Sequence, residues 1–204
     1  MRSPLLALAG ATALATLIAG CQSIPQNIDM ANDDGHAVMG LDYRDFQNSA
    51  TELVQSLLSS GALKKPDGGR YVMTTGRVVN DTMQRIDTDQ LMAKIEEAML
   101  NSGQVVMTAA VGGNGAPDSM VHEVRKLRQD DEFNQGTIAQ KGTLIAPEMS
   151  ISGKIIQRDV PYERGKTQVE YYFQLRVANI SSGLVFWQKE NVIGKRGSSK
   201  SVSW

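Results

Sequence analysis

The sequence predicts an α+β fold, in which helices pack on a single sheet rich in antiparallel strands. Beyond residue 40, two segments with apolar residues at helical spacing lie between a capping residue and a helix-ending glycine. The last third instead holds long β-rich segments joined by short polar turns. With 204 residues, 41% of them hydrophobic, the chain has the composition of one globular domain and a short additional segment.

The two helices are predicted from their caps and their apolar stripes. The first runs from Tyr43 to about Ser60, with Asp42 as its N-cap and Gly61 after its end. The second runs from about Thr88 to Asn101, with Asp87 or Thr88 as its cap. The residues predicted to face the core are Phe46, Ala50, Leu53, Val54, Leu57 and Leu58 in the first, and Leu91, Ile95, Ala98, Met99 and Leu100 in the second.

Two strands and a third helix complete the first part of the domain. The β-rich run Arg70–Asn80 is interrupted by Gly76, and a shorter strand spans Gln104–Ala110. After a glycine-rich loop, Asp118 is expected to cap a third helix. The residues expected to face inward on this helix are Met120, Val121, Val124 and Leu127.

The last third predicts an antiparallel meander. Its strands are Glu148–Arg158, Gln168–Ile180 and Leu184–Val192, joined by turns at residues 161–165 and 181–183. The globular domain is therefore expected to span residues 41–194. Residues 195–204 are expected to form a basic tail that frays.

The N-terminus predicts export. The apolar run from Leu5 to Ile18 has the length of a secretory signal core, so residues 1–20 are predicted to be a signal peptide. The following Ile18-Ala19-Gly20-Cys21 resembles the lipobox of bacterial lipoproteins, which implies lipidation of Cys21 and anchoring to a membrane only through lipid. The alternative is that Cys21 is a small apolar residue ending a membrane-embedded helix. Gln22 resembles the sorting signal for the outer membrane.

Residues 21–40 are predicted to be a flexible tether. They are polar and lack a sustained period of either 2 or 3.6 residues. Fully stretched, such a segment reaches at most about 70 Å. The domain is therefore expected to stay near its membrane.

Composition argues against several functions. A net charge of -1 gives no field for binding nucleic acid. One cysteine and 2 separated histidines form no recognisable metal site, and the loop Gly112–Gly115 lacks the Lys-Ser/Thr pair of a nucleotide loop. We therefore expect no metal, no cofactor and no small-molecule ligand.

Three stretches together resemble the LpoB family of outer-membrane lipoproteins. They are Arg77–Thr82, a strand running into a Thr-containing turn; Thr88–Gly103, a helix ending in Asn-Ser-Gly; and Ser181–Trp187, a turn before a strand with Trp187. With the lipobox they follow the family's order and cover most of the mature chain. The tether is shorter than in that family, so either the periplasm is narrow, or the anchor is on the other membrane, or the partner lies closer to the anchor.

The resemblance implies both a fold and a function. The domain should be similar to the N-terminal domain of TolB. The protein should be a periplasmic lipoprotein on the outer membrane that activates a bifunctional class A penicillin-binding protein, a glycan polymerase and transpeptidase. It should do so by docking on a non-catalytic domain of that synthase, and it should not itself be an enzyme.

The candidate partner-binding residues lie in two strands. Arg77, Asn80 and Asp81 form a polar cluster where a strand meets a loop. The alternative is that Asn80 and Asp81 only hydrogen-bond their own turn. Met149 and Ile151 lie on a strand that a partner could contact if it is exposed, although β alternation explains them equally well.

Two further functions stay open. The protein could be a structural or assembly lipoprotein of an envelope secretion or flagellar machine, which predicts ring-like oligomers. It could also be an envelope hydrolase that uses a carboxylate pair, for example Glu96 and Glu170, as general acid and base.

Overall fold

The computed structural model describes residues 27–29, 37–113 and 117–200. The predicted signal peptide, Cys21 and most of the predicted tether lie outside these residues. The chain divides into two compact units, Met1–Asp34 and Gly35–Trp204, and of the first unit only the exposed residues 27–29 are described. In the described ranges, no helix combines the length and the apolar character needed to cross a membrane.

The second unit is an α+β domain with one mixed sheet, which confirms the predicted fold class. The sheet order is β2-β1-β3-β4-β5, with β2, β1 and β3 parallel and β3, β4 and β5 antiparallel. The elements in chain order are α1 (Tyr43–Ser59), β1 (Tyr71–Asp81), α2 (Thr88–Asn101), β2 (Val105–Met107), α3 (Met120–Lys126), β3 (Met149–Glu163), β4 (Lys166–Asn179) and β5 (Val185–Ser198).

The two long helices begin at carboxylate caps. The Asp42 carboxylate accepts hydrogen bonds from the backbone N–H groups of Arg44 and Asp45, and the Asp45 carboxylate accepts one from the N–H of Asp42. Burial raises the pKa of Asp42, but hydrogen bonds from the Asp45 backbone and from Arg44 outweigh it, so the pKa lies below its ordinary value. At α2 the Asp87 carboxylate accepts from the N–H groups of Asp89 and Gln90, which decides between the two predicted caps.

The hydrophobic core lies between these helices and one face of the sheet. Both helices lie on this face, α1 near β5 and α2 near β1 and β2. Alternate residues of the three central strands point into it. The central buried side chains are Leu53, Val54, Leu57, Leu91, Ile95, Met99, Met73, Met149, Ile151, Ile155, Val169, Tyr171, Phe173 and Val177.

The antiparallel strands are longer than the sequence predicts. The hairpin between β3 and β4 tightens to a turn at Arg164 and Gly165, where the φ of +75° at Gly165 suits glycine. β5 continues through Ser198, so residues 195–198 belong to a strand and are not a frayed tail. These residues pair with residues 166–169 of β4. Lys195 is anchored further, because its ammonium group donates to the Gly40 carbonyl at 2.7 Å and pairs with Asp45.

The prediction that α3 faces the core is wrong. This helix has 7 residues and none is buried, and Met120 and Val124 are exposed. Among the described residues between Val106 and Glu148, no residue is buried. The Asp118 carboxylate does accept from the Met120 N–H at 2.9 Å, although the helix begins one residue later than that cap predicts.

Candidate partner-binding surface

The face of the sheet opposite α1 and α2 carries a groove of about 510 Å³. It lies across β1, β3, β4 and β5. Its lining residues are Arg77, Val79, Ser152, Gly153, Lys154, Gln174, Leu175, Arg176 and Gln188. We call this region the open-face groove.

An irregularity between β1 and β3 forms one side of the groove. The pairing of these strands shifts between Thr75 and Val78, so that Gly76 and Arg77 together lie opposite Ser152 and β1 has one extra residue there. A Cβ at Gly76 would lie 3.1 Å from the carbonyl oxygen of Ile151, so a side chain there would require the neighbouring backbone to shift by a few tenths of an ångström. The shift places the exposed Arg77 beside the neighbouring strands.

The open-face groove is cationic. Arg77, Lys154 and Arg176 line it, and no carboxylate is among its lining residues. Lys154 pairs with Asp81 at 2.5 Å, and Arg176 Nε donates to Ser152 Oγ at 3.2 Å. The Asp81 carboxylate offsets the charge of Lys154, so the net positive charge of the groove comes from Arg77 and from Arg176, whose contact with Ser152 is to a neutral hydroxyl. The groove therefore suits carboxylate side chains on the surface of another protein.

A second polar cluster lies on the same face towards the β3–β4 hairpin. The Glu170 carboxylate accepts hydrogen bonds from Tyr172 Oη and Gln168 Nε2, both at 2.5 Å. These bonds, the one from Tyr172 first, lower the pKa of Glu170, and the same bond raises the pKa of Tyr172. The Arg158 guanidinium lies 5.3 Å from the centre of the Tyr172 ring, so the cluster is internally neutralised.

The predicted residues have different positions relative to the groove. Arg77 lines it, and Asp81 borders it through the pair with Lys154. Asn80 instead holds its own turn, as the alternative interpretation held, since its Nδ2 donates to the Gln84 carbonyl at 2.9 Å and its Oδ1 accepts from Thr82 Oγ1 at 2.7 Å.

Met149 and Ile151, which were predicted to contact a partner, are core residues. Both are 0% exposed and point from β3 towards the helices, on the face opposite the groove. A partner on the domain surface cannot contact their side chains. Ordinary β alternation, which was the alternative explanation for them, accounts for their positions.

The carboxylates suggested for hydrolysis do not meet. Glu170 lies on the open face of β4, whereas Glu96 is on α2, on the opposite side of the sheet. Within the part of the chain that the structure describes, no three His, Cys, Asp or Glu side chains form a group that could hold a metal ion.

Most of the groove residues were not predicted from the sequence. Lys154, Gln174 and Arg176 read as ordinary polar residues at alternate positions of two strands. They become neighbours only through the pairing of β3 with β4, in which Lys154 faces Gln174 and Ser152 faces Arg176. Alternation predicts which face each residue takes, and this was the one available signal.

A family model for the peptidoglycan-synthase activator LpoB matches residues 45–193, which include both long helices and nearly the whole sheet. The chain belongs to the LpoB family. No curated protein matches the chain. The match therefore confirms the resemblance stated from the three sequence stretches.

Solved structures of two LpoB domains and of one further lipoprotein are similar to the chain at low sequence identity. The C-terminal domain of LpoB from Salmonella enterica is 11% identical, with a TM-score of 0.42, and the match covers 73% of this chain and 98% of that one. For the same domain from Escherichia coli the identity is 10%, the TM-score 0.42 and the coverage 74% and 99%. The lipoprotein GNA1162 from Neisseria meningitidis is 12% identical, with a TM-score of 0.35 and coverage of 65% and 87%.

Proposed function

We propose that the protein is a lipid-anchored periplasmic activator of a class A penicillin-binding protein. Membership of a family of peptidoglycan-synthase activators carries this proposal. The lipobox-like Ile18–Cys21 supports an anchor on the outer membrane, and the tether of residues 21–40 allows the domain to reach at most about 70 Å from it. The protein acts by binding the synthase and does not itself catalyse a reaction.

The open-face groove is the proposed docking site. Its cations would meet carboxylates on a non-catalytic domain of the synthase, and the exposed Val79 adds apolar surface beside them. Arg77 is the best single residue to test, because it is exposed and lies at the bulge of β1. Long-range attraction of this kind mainly raises the association rate, so binding should weaken with salt.

The test begins with capture of partners from solubilised envelopes by the full-length lipoprotein. A glycan polymerisation assay then follows on any synthase recovered. Recovery and stimulation of a class A penicillin-binding protein are expected. Recovery of secretion or flagellar components instead would contradict the proposal and favour the assembly hypothesis.

A charge reversal locates the docking site. Arg77→Glu should weaken binding by about tenfold, which corresponds to about 1.4 kcal/mol. The matched control is Arg70→Glu, since Arg70 is also exposed, precedes the same strand and does not line the groove. Equal losses in both variants would show that general charge, and not the groove, governs binding.

A further inference from the structure

β5 forms one edge of the sheet and is as long as its neighbour. Its 14 residues pair with β4 along one side. Along its other side, no strand among the described residues pairs with it. Such an edge presents unpaired backbone N–H and C=O groups that can bind another strand.

The bonding pattern identifies which residues face this free edge. The Ser199 N–H donates to the Gly165 carbonyl at 3.1 Å, so these two residues form a hydrogen-bonded pair. Hydrogen-bonded and non-bonded pairs alternate along antiparallel strands. From Trp187 to Gly197 the odd-numbered residues of β5 therefore bond to β4. The even-numbered residues from Gln188 to Arg196 direct their N–H and C=O groups to the free edge.

The side chains of β5 are complementary to a second β5 in one symmetric register. When two copies pair antiparallel about a twofold axis normal to the sheet, facing residues lie on the same face. Glu190 is the only acidic residue of β5, and Arg196 is the only cation on its face of the strand. They face each other only when the axis passes beside Ile193, and the symmetry then forms this ion pair twice.

The remaining contacts in this register are compatible. The exposed Val192 faces Gly194, where an added Cβ would find no atom within 4 Å, and Asn191 faces Lys195. Several other registers juxtapose like charges: centring on Glu190 opposes the two glutamates, and centring on Val192 opposes Lys189 and Lys195. Registers centred on Asn191 or Gly194 avoid like charges but leave Glu190 and Arg196 without each other. Like charges in facing positions destabilise a strand pair.

We propose that two copies of this chain associate through β5, in the register centred on Ile193, and continue the sheet across the twofold axis. The partner that this edge fits is thus a second copy of the same strand. The association is separate from the proposed function, since it uses the backbone edge of β5 and leaves Arg77, Lys154 and Arg176 accessible. A common membrane would favour it by raising the effective concentration of the two copies.

Sedimentation equilibrium on mature chain 21–204 carrying Cys21→Ser tests the association without lipid. The chain should be dimeric, and Gly194→Pro should make it monomeric, because proline removes an N–H that faces the free edge and bonds to nothing in β4. Glu190→Arg should weaken dimerisation at least tenfold, and adding Arg196→Glu should restore it to within about threefold. If the proline variant does not fold, the exchange of charges between residues 190 and 196 still tests the proposal.

Crosslinking tests the register in envelopes. With the full-length lipoprotein, Ile193→Cys should form a disulfide between two copies, because facing non-hydrogen-bonded residues have Cα atoms about 4.5 Å apart. Val192→Cys is the matched control and should crosslink much more slowly, since it faces Gly194. The proposal would be overturned if the parent chain were monomeric. It would also be overturned if Gly194→Pro and Glu190→Arg left the dimer unchanged, or if Ile193→Cys and Val192→Cys crosslinked equally.

Discussion

Lys195 joins the start of the domain, α1 and the end of β5, and replacing it with methionine isolates the contribution of its charge. Its ammonium group donates to the Gly40 carbonyl and pairs with Asp45, and the side chains of Lys195 and Asp45 are 10% and 16% exposed. Lys195→Met leaves both acceptors without this donor in a largely dry site, where an unsatisfied group costs about 1–3 kcal/mol. The Asp42 N–H still binds Asp45, so we expect a loss of about 2–3 kcal/mol.

Urea unfolding and calorimetry measure this loss directly. For a domain of this size it corresponds to a fall in Tm of about 4–12 °C. The matched control is Lys189→Met: Lys189 lies on the same strand and pairs with Glu52 of the same helix at 3.3 Å, but these side chains are 35% and 55% exposed. This exposed pair should contribute no more than about 1 kcal/mol. Equal destabilisation by the two substitutions would refute the reasoning from burial.

Two further predictions concern packing and pH. Gly153→Ala should lower the free energy of unfolding by about 1–3 kcal/mol, because the added Cβ would lie 2.4 Å from the carbonyl oxygen of Gln174. Gly194→Ala is the control, since a Cβ added there would have no atom within 4 Å, and it should not destabilise the domain in the same urea titration. The Lys65 ammonium, hydrogen-bonded to Glu148, holds the pKa of that carboxyl below its ordinary 4.5. A lowered pKa contributes stability that is lost as the pH falls through the folded-state value. Glu148→Gln should therefore reduce the loss of stability between about pH 5 and pH 3. An unchanged dependence of stability on acid pH would contradict the stabilising role of the Lys65–Glu148 hydrogen bond.

The helix boundaries could be predicted because local chemistry sets them. α2 spans the predicted residues and α1 ends one residue before the predicted end. In each, an aspartate cap and a glycine shortly after the last turn act within a few residues of the chain. The ends of β3 and β5 could not be placed in this way, because a strand continues as long as its neighbour offers hydrogen-bonding partners. Contacts between distant parts of the chain also act at these ends. Lys195, near the end of β5, pairs with Asp45, which lies 150 residues away in the sequence.

The groove was predicted only in part for a related reason. Arg77 and Asp81 lie in one short segment, so their proximity could be inferred from the sequence. Lys154 and Arg176 approach them because β3 lies between β1 and β4 in the sheet. β3 pairs parallel with β1 and antiparallel with β4. A strand order of this kind depends on the crossover connections, which the alternation of apolar residues does not encode.

The failure at α3 shows what periodicity leaves undetermined. Met120, Val121, Val124 and Leu127 have the spacing of an amphipathic helix, and that spacing indicates only that one side of the helix is more apolar than the other. Whether that side is buried depends on whether any sheet surface remains for it to cover. In this domain α1 and α2 already cover the one face that contains the core. A third helix of 7 residues therefore packs nothing into the core, and side-chain hydrogen bonds such as that from Arg125 to the Gln140 carbonyl position it instead.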